Sequence, residues 1–236
     1  MSIVEEVLKS KKMKEDLRCV HRHTIDEHPS CFVKGQIKWP DDKTFSKVTG
    51  SEWYKYPGYR IAYADIETDN LNADFGTVLA WCIKQKDGEI ISSFITKDEL
   101  FDGRSDYRLI KEFINEISNY KIVVGYYSSR FDIPYMRSKA LYYGLEFPGY
   151  GELFQWDLYF TVRDKLKLSR NSLDNACNYL GIDGKTPLDK DIWRLAKYGD
   201  RDAISLVLTH CEYDVIITER LHNRIEFMRK WIKTSI

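Results

Sequence analysis

Apolar and polar positions fall into regular patterns from about residue 58 onward. Tyr59-Arg60-Ile61-Ala62-Tyr63-Ala64 reads as a buried strand ending at Asp65. Thr77–Ile83 and Ile90–Ile95 read as two further strands. They are joined by Lys86-Asp87-Gly88, whose Asp-Gly pair favours a tight hairpin. The period then changes: between Tyr107 and Tyr120, residues Leu109, Ile110, Phe113, Ile114 and Ile117 recur at helical spacing. Lys121–Val124 reads as a short central strand and Leu153–Asp157 as another, with the remainder mostly helical. Three strands, a helix, a strand and then helices is a mixed α/β order.

The first 57 residues read differently. A Lys-rich amphipathic stretch (Val4 to Lys14) leads into a cluster of Cys and His, then a polar segment with Pro40, Asp41, Asp42 and Pro57. The expected organisation is therefore a small N-terminal appendage over 1–57 and a principal domain over 58–236, within the size range of one large domain plus an extension. A hydrophobic fraction of 43% suffices for a buried core. Charge balances, with 36 basic against 36 acidic residues, which argues against a purely electrostatic nucleic-acid binder. A protein that gathers carboxylates around metal ions is compatible with that neutrality. Five cysteines at irregular spacing, Cys19, Cys31, Cys82, Cys177 and Cys211, do not form a disulfide framework and favour a reducing compartment. The N-terminus lacks the apolar core of a signal peptide, and no apolar run is long enough to cross a bilayer. A soluble, cytoplasmic protein with no membrane partner is the expectation.

Asp65-Ile66-Glu67-Thr68 carries the first chemical signal. Alternation along a strand sends Asp65 and Glu67 to one face. Two carboxylates that close repel, and a divalent cation is the simple compensator, with oxygen donors suited to Mg²⁺ or Mn²⁺. A strand running out into a solvated acidic turn is the plainer alternative. The second signal is Val123-Val124-Gly125-Tyr126-Tyr127-Ser128-Ser129-Arg130-Phe131-Asp132-Ile133-Pro134-Tyr135, a strand, a Gly-opened loop and a helix start. The helix dipole and a first-turn Pro explain an acid at Asp132, but not the aromatic, polar loop before it.

Together, Asp-Ile-Glu-Thr and the later Gly-Tyr…Phe-Asp-Ile-Pro-Tyr resemble the first two motifs of the DnaQ-like (DEDD) exonucleases. The likeness is nearest to the YprB-like ribonuclease H-like branch and to the exonuclease domains of family B DNA polymerases, over roughly residues 58 to 225. The resemblance implies an RNase H-like fold, a mixed central sheet flanked by helices. It implies a third motif too, an acid on a late helix with a Tyr or His about one turn before it. His210-Cys211-Glu212-Tyr213-Asp214 is the candidate. Ala203, Leu206, Val207, His210, Asp214, Ile217 and Leu221 lie on one helical stripe, so His210 and Asp214 are expected to face the core, with Asp214 toward Asp65. His-type relatives leave one more residue between base and acid than this chain does. A His stands here at Tyr-type spacing, which leaves the general base open. Tyr198-Gly199-Asp200-Arg201-Asp202 also fits a Tyr-x-x-x-Asp pattern, but Asp200 reads as an N-cap and Asp202 as a first-turn acid. Asp157 is a spare acid, either beside the site or capping a helix.

What the resemblance implies for function is 3′–5′ hydrolysis of single-stranded DNA or RNA ends. Two divalent ions, Mg²⁺ or Mn²⁺, would be held by Asp65, Glu67, Asp132 and Asp214, with His210 orienting or deprotonating a water. Tyr126 and Tyr127 are candidate stacking groups for terminal bases, and Arg130 a candidate phosphate contact. Phe131 and Tyr135 read as packing residues. Two alternatives remain, a structure-specific endonuclease on the same scaffold and a non-catalytic nucleic-acid-binding module. Separately, Cys19, His21, His23, His28 and Cys31 lie within thirteen residues. Cys19, His28 and Cys31, with His23 or His21 as the fourth donor, would form a closed structural Zn²⁺ site. A surface loop with reduced cysteines is the alternative.

Overall fold

The computed structural model describes residues 61–149, 152–183 and 187–228, together with a short antiparallel backbone pairing of Arg18–Cys19 with Ile37–Lys38. The proposed zinc donors His21, His23, His28 and Cys31 and the Cys19 side chain lie outside the described residues, as does the boundary at residue 57.

Five strands form one sheet: β1 (Ile61–Thr68), β2 (Val78–Gln85), β3 (Ile90–Phe94), β4 (Ile122–Gly125) and β5 (Phe154–Asp157). Their order across the sheet is β3-β2-β1-β4-β5. β1, β2 and β3 pair antiparallel, whereas β4 joins β1 in parallel and β5 joins β4 in parallel. β4 is buried at all four positions, as expected of a parallel strand covered on both faces. The helices are α1 (Lys97–Leu100), α2 (Tyr107–Ile117), α3 (Asp132–Tyr143), α4 (Leu158–Lys165), α5 (Leu173–Tyr179), α6 (Lys190–Lys197) and α7 (Arg201–Ile225). A mixed five-stranded sheet flanked by helices is the architecture that the resemblance implies.

Strand alternation divides the core. Ala62, Ala64 and Ile66 of β1 join Leu109, Phe113, Ile133 and Met136 on one side of the sheet. Ile61 and Tyr63 join Val124, Trp156, Val215 and Leu221 on the other. Asp65 and Glu67 continue the Ile61–Tyr63 parity, so β1 presents them toward the α7 side. The strand is longer than its apolar run suggests. Asp65 and Glu67 lie within it, opposite Cys82 and Ala80 of β2, and a bulge between Glu67 and Thr68 breaks the register only afterwards.

The hairpin turn is as expected. Asp87 takes a left-handed backbone (φ 54°), a conformation Asp tolerates, and its N–H donates to Glu219 of α7. α7 keeps one face inward, but rotated from the stripe anticipated: Ile204, Cys211 and Val215 are buried, whereas Leu206 is 46% exposed. A helix packed across a sheet buries a band wider than one row of residues, and that band is centred away from Leu206.

Candidate metal centre

Each acid reaches the site by a different local device. Asp65 and Glu67 are half-buried and carried on the same face of β1. Asp132 opens α3 and is buried at 4% exposure, and its Oδ1 accepts the Ile66 N–H at 3.0 Å. That hydrogen bond fixes the start of α3 against the backbone between the two β1 acids. Gly125 makes the approach possible at the end of β4. A Cβ there would stand 2.3 Å from Ser128 Oγ and 2.5 Å from Ser128 Cβ, so only glycine lets the loop fold back at this point.

α7 brings the third motif in. Tyr63 and His222 meet at 2.7 Å, hydroxyl to Nδ1, and set where the helix lies over β1. From Tyr63 to Glu67 the strand advances about 13 Å. From His222 back to Asp214 the helix advances about 12 Å. The two elements therefore run alongside with matched steps, and Asp214 arrives beside Glu67. Asp214 is 4% exposed and His210 8% exposed. One donor atom each from Glu67, His210 and Asp214 converge so that all three lie within 4.8 Å of one another. His210 Nε2 stands 3.8 Å from Glu67 Oε1. Asp65, two residues before Glu67 on the same face of β1, is not one of these three. Asp65 is held by its backbone, whose carbonyl accepts a contact from the buried Cys211 thiol at 3.4 Å.

Electrostatics point the same way. Burial pushes the Asp132 carboxyl up to about 7; the N–H groups at its own position and at Ile66 oppose the rise, and the charges of Asp157 and Asp214 add to it. Three carboxylates thus share a low-dielectric corner. Two oxygens and one imidazole nitrogen at this spacing are a donor set suited to a divalent cation, which would relieve the mutual repulsion of the acids.

The remaining candidates are placed as follows. Asp202 is exposed in the first turn of α7, behind the N-cap Asp200, whose side chain accepts the Ala203 N–H. Tyr198 is 67% exposed. Tyr126 is half-buried, and its hydroxyl donates to the Asn171 carbonyl at 2.7 Å, so its phenol is engaged within the protein. Tyr127 is 46% exposed, has a left-handed backbone (φ 64°), and packs edge-on against Tyr159. Arg130 is exposed, its guanidinium 5.8 Å from the Phe160 ring centre. Tyr135 is buried and Phe131 leans against it, as packing residues should.

Asp157 does both things the sequence allowed. It caps α4, accepting the Tyr159 N–H, and it takes the Tyr127 N–H, the Ser129 N–H and the Ser129 hydroxyl, at 2.6 to 3.0 Å. It is the anchor of the loop that carries Tyr127 and Arg130, and its charge is felt at Asp132. Sequence reasoning missed that loop anchor and missed Trp193 of α6, whose ring stands edge-on to His210 with centres 6.2 Å apart. A strand-end acid followed by a helix signals the cap alone, and Trp193 reads simply as the apolar face of a short helix.

A family model for the RNase H superfamily matches residues 62–226. The chain belongs to the RNase H superfamily. Its match takes in β1 from Ala62, the other four strands and all of α7, and hence Asp65, Glu67, Asp132, His210 and Asp214. Among solved structures, the chain is similar to the family B DNA polymerase of the hyperthermophilic archaeon Pyrobaculum calidifontis. The identity is 22% and the TM-score 0.59, over 72% of this chain and 25% of that one, a likeness of fold. The chain thus spans about a quarter of the polymerase's length. No curated protein matches it. Among the described residues, no helix of this RNase H superfamily member is long and apolar enough to cross a membrane.

Proposed function

We propose that the chain is a metal-dependent nuclease that removes nucleotides from the 3′ ends of single-stranded DNA or RNA. The observation that carries this reading is the convergence of Glu67, His210 and Asp214 beside buried Asp132 on an RNase H superfamily fold. The solved neighbour is a DNA polymerase, which supports a nucleic acid as substrate; the 3′–5′ direction rests on the resemblance of the motifs to DnaQ-like exonucleases.

Asp65, Glu67, Asp132 and Asp214 would hold divalent ions, Mg²⁺ or Mn²⁺. Bound there, such ions would supply positive charge at the scissile phosphate and would lower the pKa of a coordinated water. The chain's own part is positional. β1 and α7 hold acids from opposite sides, and the Ile66 N–H keeps Asp132 from swinging away. Tyr127 and Arg130 offer an aromatic edge and a guanidinium on the loop that Asp157 pins, a place for a terminal base and a phosphate.

Labelled single- and double-stranded DNA and RNA, incubated with Mg²⁺ or Mn²⁺, test the reading. Progressive shortening from the 3′ end of single strands is expected, stopped by chelator and by Asp65→Ala or Asp132→Ala with the fold intact. Activity of either variant within about tenfold of wild type at saturating metal is incompatible with it. Cleavage of circular single strands would show an endonuclease instead, and tight binding without cleavage would show a non-catalytic module.

A further inference from the structure

We propose that His210 is a direct ligand of the ion held by Glu67 and Asp214, so that this centre is a mixed nitrogen–oxygen site that prefers Mn²⁺ to Mg²⁺. The inference rests on reading the acid cluster as a metal centre, and not on whether that centre cuts nucleic acid.

Helix geometry comes first. Residues four apart on an α-helix project from one face about one turn apart, so their side-chain ends meet. Two donors at that spacing make a natural chelate, the arrangement that paired histidines use on zinc-binding helices. His210 and Asp214 are such a pair, both buried, on the face of α7 that crosses β1. Glu67 comes from the strand opposite and supplies the third donor.

Distances fit. Ligand bonds of about 2.0–2.2 Å put neighbouring donors about 3 Å apart and opposing donors about 4.3 Å apart. The His210 Nε2–Glu67 Oε1 separation is 3.8 Å, between those limits. All three donors lie within 4.8 Å of one another, an upper bound about half an ångström beyond the wider limit, which a small side-chain adjustment closes. At 3.8 Å the imidazole and the carboxylate are too far apart to be hydrogen-bonded to each other. An ion between them would be held by both. Trp193 of α6 stands edge-on to the imidazole, ring centres 6.2 Å apart.

The chemical consequence follows from donor type. A cage of carboxylates and water suits Mg²⁺, which dehydrates reluctantly and prefers oxygen. An imidazole nitrogen raises affinity for transition ions over Mg²⁺, and Mn²⁺ accepts both donor types. A Nε2 lone pair given to a metal is not available to take a proton from water. Ligand and general base are therefore exclusive roles for that atom.

Pulsed electron paramagnetic resonance on the full chain, stripped of metal and reloaded with Mn²⁺ without nucleic acid, reads the bond directly. A nitrogen directly bonded to Mn²⁺ is expected, changing with ¹⁵N-histidine labelling and disappearing in His210→Tyr. Calorimetric titration should show Mn²⁺ affinity falling at least about tenfold in His210→Tyr, with Mg²⁺ affinity altered much less. Circular dichroism establishes that the variant is folded, and the wild-type spectrum stands even if it is not. Absence of nitrogen coupling in the wild type overturns the proposal, as does coupling that survives His210→Tyr. Coupling present in a chain that cleaves nothing would leave this proposal standing and remove the nuclease reading alone.

Discussion

Asp132 shows how one residue is held in tension. Its oxygen is required by the Ile66 N–H, yet burial and neighbouring acids push the carboxyl up to about 7. With the folded value raised, the protonated form is the one folding favours. In metal-free protein, stability is then full below the ordinary carboxylate range and declines as pH rises toward 7. Asparagine keeps the acceptor oxygen and removes the charge. In chelator above neutral pH, Asp132→Asn is expected to melt a few degrees higher than wild type. Mn²⁺ should raise the melting temperature of the wild type more than that of the variant, which lacks the Asp132 charge but keeps Glu67, His210 and Asp214. A variant that melts lower in chelator would mean that the anion itself is stabilised. The two late acids separate in the same way. Asp214→Asn is expected to cost about a hundredfold or more in hydrolysis rate. Asp202→Asn, exposed in the first turn of α7, should cost little rate and at most about 1 kcal/mol of stability through the helix dipole. Equal rate losses in the two variants would contradict the placement of Asp214.

At the scale of elements, the site depends on α7 lying in step with β1. The Tyr63–His222 contact fixes that alignment eight residues from Asp214, and the Glu219 carboxylate adds a second tie, pairing with Lys84 at 2.7 Å and taking the Asp87 N–H at the hairpin. The loop before α3 depends on Asp157. Asp157→Ala leaves the Tyr127, Ser129 and Tyr159 N–H groups without that acceptor, and is expected to lower unfolding free energy by about 2–4 kcal/mol in denaturant titration. Under the nuclease reading it should also raise KM, because Tyr127 and Arg130 ride on that loop. An unchanged denaturation midpoint would show that the loop is held by its packing instead.

For the whole molecule, the RNase H-like core and the first 57 residues are expected to be separable. Zinc analysis of protein purified without added metal is expected to find one zinc per chain, lost in Cys19→Ser and Cys31→Ser. A chain comprising 58–236 should fold without it. A zinc-free, fully folded full-length chain would leave the surface-loop reading of that cluster. The molecule also shows how a neutral protein concentrates charge. The acids of β1, α3, β5 and α7 come from parts of the chain far apart in sequence, so a net charge of zero conceals the site.

Much of this was legible in local periodicity. A two-residue period places Asp65 and Glu67 on one face, and a 3.6-residue period places His210 and Asp214 on one face, whatever surrounds them. The Asp-Gly hairpin, the start of α3 at Asp132 and the first-turn position of Asp202 are equally local. The end of β1 was not legible, because Asp65 and Glu67 are held in the strand by pairing with Cys82 and Ala80 of β2, which polarity does not report. Nor was the inward band of α7, which the sheet beneath it selects and which leaves Leu206 outside. Sequence by itself determined which residues share a face; only the packing of α7 across β1 decided that Asp214 and His210 meet Glu67, because the distance between two elements is set by the side chains between them, and no period within either element contains it.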